Sequence, residues 1–237
     1  MSPRRDAEGL VDRYSLSPSA DAQLAKLAEL LVGDPSAPTS VRDPRRVAQD
    51  HLADALVALE LEEVREAAVI ADLGSGAGVP GLPLAIALPK AEVALVEGNA
   101  RKCAFISRAA SACGLANVQI VNLRAESWQE GLGCNELVTA RALAPLAVVA
   151  EYAAPLLRVG GSLVAWRGRR DEDQEGAAAR AASELGLEPI VSRPVRPYPA
   201  ARHRHLHVMR KTRPTPERFP RRPGVARKRP LGTRTAV

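Results

Sequence analysis

The stretch Val69-Ile-Ala-Asp-Leu-Gly-Ser-Gly-Ala-Gly-Val-Pro-Gly, ending at Gly81, decides how the rest of the chain is read. Its first half is an apolar run of strand length, and its second is a glycine-rich turn that opens into a helix beginning near Leu82. Glycines at 74, 76 and 78 permit sharp backbone conformations and let main-chain N–H groups approach a ligand without side-chain obstruction. A cofactor is therefore expected over this turn. The dinucleotide fingerprint spaces its glycines G-x-G-x-x-G, whereas here the third comes one residue early and Val79 occupies the position where it belongs.

Working outward, strands are expected at 68–73, 92–97, 118–123, 136–141 and 161–166, with helices at about 82–88, 100–113, 143–157 and 172–185. Such alternation is the signature of a mostly parallel α/β sheet with helices on both faces. Leu187–Val195 and His203–Lys211 are two more strand-like runs joined by a short loop carrying Pro197 and Pro199, and they read as a terminal antiparallel hairpin. Seven strands with that ending match the Rossmann-like S-adenosylmethionine-dependent methyltransferase fold rather than the nicotinamide dehydrogenases. This is an analogy of fold and proves no activity.

Upstream, Leu24, Leu27, Leu30 and Leu31 fall at helical spacing, and Gly33-Asp34-Pro35 stops that helix. Asp43-Pro44 fits the N-cap and first position of a second helix running to about Leu61, with His51 near the face that holds Val47 and Ala58. The chain thus divides into a helical N-terminal extension over 1–62, a methyltransferase domain over 63–211 and a tail over 212–237.

With 46% apolar and 25% charged residues in 237, the composition is that of an ordinary globular protein, which excludes a wholly disordered or fibrous chain. Aromatics are only 3%, so the core must be built from Ala, Val and Leu. No apolar run approaches the roughly 20 residues that cross a bilayer, and the arginines near the N-terminus are followed by no apolar stretch, so neither a membrane span nor a secretory signal is expected. Cys103, Cys113 and Cys134 make an odd number without close pairing, which suggests neither a disulfide framework nor a zinc site. A cytoplasmic monomer is the expectation.

Residues 193–237 carry fourteen Lys or Arg against one acid, Glu217, while the rest of the chain has 19 basic and 26 acidic side chains. All the excess basicity lies at one end. The run from Thr212 onward has no apolar periodicity and reads as a disordered basic tail whose natural partner is a polyanion, RNA ahead of membrane lipid.

Glu97 ends the second strand 23 residues after Gly74, where a carboxylate can accept both hydroxyls of a ribose. Arg124-Ala125-Glu126 follows the third strand, where methyltransferases contact the adenine ring. The fourth strand ends at Arg141 and is followed by Ala-Leu-Ala-Pro, in place of the Asn/Asp-Pro-Pro-Tyr of enzymes that activate exocyclic amines, and no Pro-Cys nucleophile is present. What remains is a target that already owns a lone pair, such as a purine N7, whose methylation needs positioning and charge placement but no general base. Arg141 could then hydrogen-bond guanine O6 or a phosphate. The run His203-Arg-His-Leu-His puts three imidazoles on alternate residues, but no acid or cysteine accompanies them, so a polar strand face or an RNA contact is preferred to a metal.

Taken together, the segments Thr39-Ser-Val-Arg-Asp-Pro with His51 and Asp54, Asp72 through Ile86, Arg101-Lys-Cys-Ala-Phe, Arg124-Ala-Glu, Ala140-Arg-Ala, Trp166-Arg-Gly and Arg204-His-Leu resemble the bacterial glucose-inhibited division protein B family. Its members methylate guanine N7 in small-subunit (16S) ribosomal RNA. The match runs in consistent order from about residue 20 to 211. The resemblance implies that Gly74, Val79, Ala125, Glu126 and Arg141 contact S-adenosylmethionine, with Gly76, Gly78 and Glu97 nearby. It further implies that Arg124, Arg167 and Arg204 face the RNA of the small ribosomal subunit; Arg141, from its place at the end of the fourth strand, is the expected catalytic residue, and N7 methylation requires no metal. Three positions depart from the family: Arg167 stands where Lys is usual, Glu97 where Asp is frequent, and Ala37-Pro38-Thr39 where Asn-Leu-Thr is usual.

Other readings stay open at this point. They are methylation of a different RNA or of a protein, a non-catalytic ribosomal RNA-binding assembly factor, and nicotinamide-dependent oxidoreduction, for which no hydride-side acid is evident.

Overall fold

The computed structural model describes residues 3–233. Seven strands, β1 (Val69–Leu73), β2 (Glu92–Val96), β3 (Val118–Val121), β4 (Asn135–Arg141), β5 (Leu157–Arg167), β6 (Val191–Val195) and β7 (Arg204–Arg210), form one sheet in the order β3-β2-β1-β4-β5-β7-β6. The first five are mutually parallel, and β7 lies antiparallel between β5 and β6. This is the expected seven-stranded arrangement with its terminal hairpin. β1 reads as a nearly continuous apolar run because both of its faces are covered: Ile70 enters one core, Ala71 and Leu73 the other. Strand order reverses between β1 and β4, so a crevice opens at their carboxyl ends, where such sheets bind ligands.

The first core is roofed by the amino-terminal helices α1 (Pro3–Tyr14) and α2 (Pro18–Gly33), followed by a bent helical run. That run comprises α3 (Pro44–Val47), a π-helical segment (Ala48–Ala53), α4 (Asp54–Leu56) and a 3₁₀ turn (Val57–Glu60), and α5 (Glu62–Arg65) follows it. Then come α6 (Gly81–Ala87) and α7 (Ala100–Ala112). Leu24, Leu27, Val47 and Leu56 pack in one cluster with Ile70, Leu82 and Phe105, so the amino-terminal helices share the core of the sheet. On the opposite face lie α8 (Leu146–Ala153), α9 (Glu172–Leu185) and the short α10 (Val225–Lys228).

Local chemistry sets the boundaries. The Asp43 side chain accepts from the Arg46 amide ahead of Pro44, and the Asn99 side chain accepts from the amides of Arg101 and Lys102. Helix α8 is shorter than the expected 143–157, because Pro145 at its entrance is extended and leaves Ala142 and Leu143 outside the helix to line the crevice.

Two expectations are corrected. The carboxy-terminal segment is not a disordered tail: up to residue 233 it forms a strap packed across α8 and α9, and 234–237 lie outside the described residues. The reason lies in α8, whose residues are all buried, Glu151 among them. Two nitrogens of Arg221 meet the Glu151 carboxylate, and Phe219 and Ala226 fill the core beside it. A buried carboxylate robbed of its cation costs about 3–5 kcal/mol, so basic residues that read as solvated have a fixed partner. The second correction concerns the histidines. His203 precedes β7 with φ +55°, so only His205 and His207 share a strand face.

Candidate active site

Two clefts meet at the carboxyl ends of β1 and β4. The first, of about 480 Å³, is bordered by Gly74, Glu97, Leu123–Glu126, Ala142 and Leu143. Beneath it Asp72 is fully buried and ties the turn together. Its carboxylate accepts from the Thr139 hydroxyl at 2.9 Å and the Gly81 amide at 3.2 Å, while its main-chain carbonyl accepts from the Ser75 hydroxyl at 2.8 Å. Burial pushes the Asp72 carboxyl up to about 6, against these donors.

Gly74, Gly76 and Gly78 all have positive φ, and a Cβ on Gly74 would come within 2.5 Å of Leu143 Cδ1. The turn is thus a cradle that any side chain would fill. Glu97 spans its mouth, one oxygen accepting from the Gly76 amide at 3.1 Å and the other from the Asn99 amide at 2.9 Å. A carboxylate has about four acceptor sites, so Glu97 retains capacity for a vicinal diol.

The second cleft, of about 370 Å³, is centred on Arg141 and also lined by Asp54, Trp166, Arg167 and Arg204. Arg141 Nη1 donates to the Asp50 carbonyl at 2.7 Å and to Asp54 Oδ2 at 3.1 Å, and Nη2 donates to His51 Nδ1 at 3.1 Å. His51 Nδ1 thus lies between a donor, Arg141 Nη2, and an acceptor, the Asp50 carbonyl at 3.2 Å, while Nε2 faces Thr39 Oγ1 at 2.8 Å. The wider turn of the π-helical segment, in which the Asp54 amide reaches back to the Gln49 carbonyl, presents the Asp50 carbonyl, His51 and Asp54 to one guanidinium.

Burial, reinforced by the Arg141 charge, lowers His51 to about 4, so the ring is neutral at pH 7. Burial also drives the Asp54 carboxyl upward, against the pull of Arg141 and Arg204. At Asp50 burial is outweighed by hydrogen bonds from Tyr198, at 2.6 Å, and Arg46, so its pKa falls. Trp166 Nε1 donates to the Asp54 carbonyl at 2.6 Å, and Arg204 Nε lies 3.6 Å from Asp54 Oδ1.

Ala142 lines both clefts. Its φ of +53° is a left-handed conformation that an L-residue adopts at a cost, and such strain concentrates at functional sites.

The residues expected from sequence are distributed as follows. Gly74, Glu97, Ala125 and Glu126 line the first cleft, together with Arg124, which was expected to face RNA. Gly76 and Gly78 shape the turn, and Val79 is buried beneath it. Arg141 joins Arg167 and Arg204 in the second cleft rather than the first. Sequence reasoning missed Asp50, Ala142 and Tyr198, and also Arg227, which lines the first cleft beside Tyr152. Tyr198 sits between two prolines in a loop that gave no signal, and a strained alanine leaves none. Among the described residues no group of His, Cys, Asp or Glu is arranged to hold a metal, and no helix is long and apolar enough to cross a membrane.

Known proteins resemble this chain in sequence and in fold. A family model described as rRNA small subunit methyltransferase G (GidB) matches residues 23–194. The chain is 40% identical over 196 residues to ribosomal RNA small subunit methyltransferase G of Rubrobacter xylanophilus, covering 80% of this chain and 75% of that one. It is 41% identical over 196 residues to the protein of the same name from Chloroflexus aggregans, covering 81% and 82%. Among solved structures it is similar to a SAM-dependent methyltransferase from Aquifex aeolicus, with TM-score 0.56, 16% identity and coverage of 74% of this chain and 97% of that one. Fibrillarin from Aeropyrum pernix, crystallised with natively bound S-adenosyl-L-methionine, gives a TM-score of 0.53 at 19% identity, covering 66% and 72%. Identities this low speak to the fold alone.

Proposed function

The chain belongs to the rRNA small subunit methyltransferase G family, and from that premise we propose that it moves a methyl group from S-adenosylmethionine to N7 of a guanine in small-subunit ribosomal RNA. The observation that carries the reading is Ala142, the strained residue that forms a shared wall between a diol-accepting glycine cradle and an arginine-lined cleft. A donor bound in one and a base bound in the other would meet there.

The first cleft fits the cofactor. Glu97 would hold the ribose, the Ala125–Glu126 turn would take the adenine, and the amino-acid end would lie over the glycine turn. When bound, S-adenosylmethionine supplies an electrophilic methyl on a sulfonium: the N7–carbon bond forms as the carbon–sulfur bond breaks, the sulfur keeps the electron pair, and the purine becomes cationic. No proton has to leave, which suits a cleft whose central group is a donor and whose nearest acids, Asp50 and Asp54, already face guanidiniums.

Arg141 holds the acceptor edge of the base by donating to O6, in a geometry fixed beforehand by Asp54, His51 and the Asp50 carbonyl. Arg167 and Arg204 sit on the same cleft to meet phosphates, and Arg124 does so beside the other. Such an enzyme works where ribosomal subunits are assembled, in the cytoplasm.

The test is Arg141→Ala. Transfer to small subunits should fall by at least roughly 100-fold, the scale of one lost transition-state donor, while S-adenosylmethionine affinity changes by less than about threefold. Full transfer by this variant would remove Arg141 from the mechanism.

A further inference from the structure

The carboxy-terminal strap lies beyond the family match, which ends at residue 194, yet it reaches the first cleft. We propose that this strap completes the adenosine end of the S-adenosylmethionine site, with Gly224 positioning Glu126 and Arg227 serving as a further cofactor-binding residue. The proposal rests on the reading of the first cleft as the cofactor site.

The strap is held at several points. Thr215 Oγ1 donates to the Leu185 carbonyl at 3.0 Å, Arg221 clasps buried Glu151, and Arg180 Nε donates to the Gly232 carbonyl at 2.7 Å. Gly232 passes so close to α9 that a Cβ there would lie 2.0 Å from the Ala177 carbonyl oxygen. Arg221 also donates to the Arg229 carbonyl at 2.9 Å, which closes a loop around α10.

These anchors place two groups on the cleft. The Gly224 amide donates to Glu126 Oε1 at 3.0 Å, a bond that fixes the rotamer of a half-buried carboxylate and leaves Oε2 as an acceptor. An exocyclic adenine amine is a donor of the matching kind. Arg227 Nη2 donates to the Leu143 carbonyl at 2.9 Å, so its side chain lines the cleft beside Leu143 and Tyr152. Leu143 is the residue that closes over Gly74, and Arg227 therefore also steadies the loop roofing the glycine cradle. A wall ordered before the ligand arrives lowers the entropy lost on binding.

The experiment is calorimetric titration of the full-length chain with S-adenosylmethionine and with 5′-methylthioadenosine, which keeps the adenosine and lacks the amino acid. Arg227→Ala is compared with Arg218→Ala, which removes an equal charge from the same strap but pairs with Glu184 away from the cleft. Arg227→Ala should weaken both ligands by the same factor, roughly tenfold, equivalent to about 1.4 kcal/mol. Arg218→Ala should match the native chain, and both variants should melt within a few degrees of it. Native affinity in Arg227→Ala would overturn the proposal, as would a loss seen for S-adenosylmethionine but not for methylthioadenosine. Absence of any binding to the native chain would instead remove the cofactor reading on which the proposal stands.

Discussion

Arg141 spends three of its five N–H donors on groups from the amino-terminal helical run, about 90 residues earlier in the chain. One partner, His51, gives a test that depends on pH. Its folded-state value is about 4 against 6.5 for the free imidazole, so between these limits the unfolded chain holds a proton that the folded chain does not. Stability due to this group is therefore full above pH 6.5, declines as the pH falls, and is lost near 4. Chemical denaturation of the native chain and of His51→Gln should show a difference in unfolding free energy that grows by about 2–3 kcal/mol from pH 4 to 6.5. A difference that stays flat would mean that His51 is not held neutral against Arg141. At this scale the sequence is informative where chemistry is local. The glycine turn and Glu97 declare themselves by spacing, whereas Asp50 and Ala142 owe their roles to a π-helical segment and a left-handed backbone that no side-chain pattern records.

At the scale of elements, β1, the glycine turn and α6 behave as one unit. Gly81 starts α6 directly over Asp72 and Leu95: a Cβ there would lie 2.0 Å from Leu95 Cδ2 and 2.9 Å from Asp72 Oδ2. Leu95 is fully buried and has little room to move. Gly81→Ala should cost about 1–3 kcal/mol by overpacking and, because the Gly81 amide is a donor to Asp72, should weaken S-adenosylmethionine binding as well. An unchanged melting temperature would show that the turn absorbs the methyl group. The central strands were legible because a sheet covered on both faces demands apolar runs. The strap was not, since its order comes from tertiary partners. One signal did exist: Glu151 stands in an otherwise apolar helix, a buried acid that requires a cation from elsewhere.

For the whole molecule, charge is unevenly placed, with fourteen basic residues against one acid over 193–237. The strap fixes part of this charge in structural roles, Arg221 on Glu151 and Arg218 on Glu184. On the function proposed above, Arg124, Arg167 and Arg204 on the two clefts would face the RNA. Three phosphate contacts through Arg124, Arg167 and Arg204 imply that affinity for the RNA drops roughly 20- to 40-fold between about 50 and 200 mM salt. A salt-independent affinity would contradict an electrostatic footprint. The most direct test of the central claim supplies labelled S-adenosylmethionine and unmethylated small ribosomal subunits to the purified chain, digests the RNA and identifies the labelled nucleoside. The account predicts label in N7-methylguanosine alone. Label in a methylated adenosine or cytidine, or none in RNA despite measured cofactor binding, would contradict it.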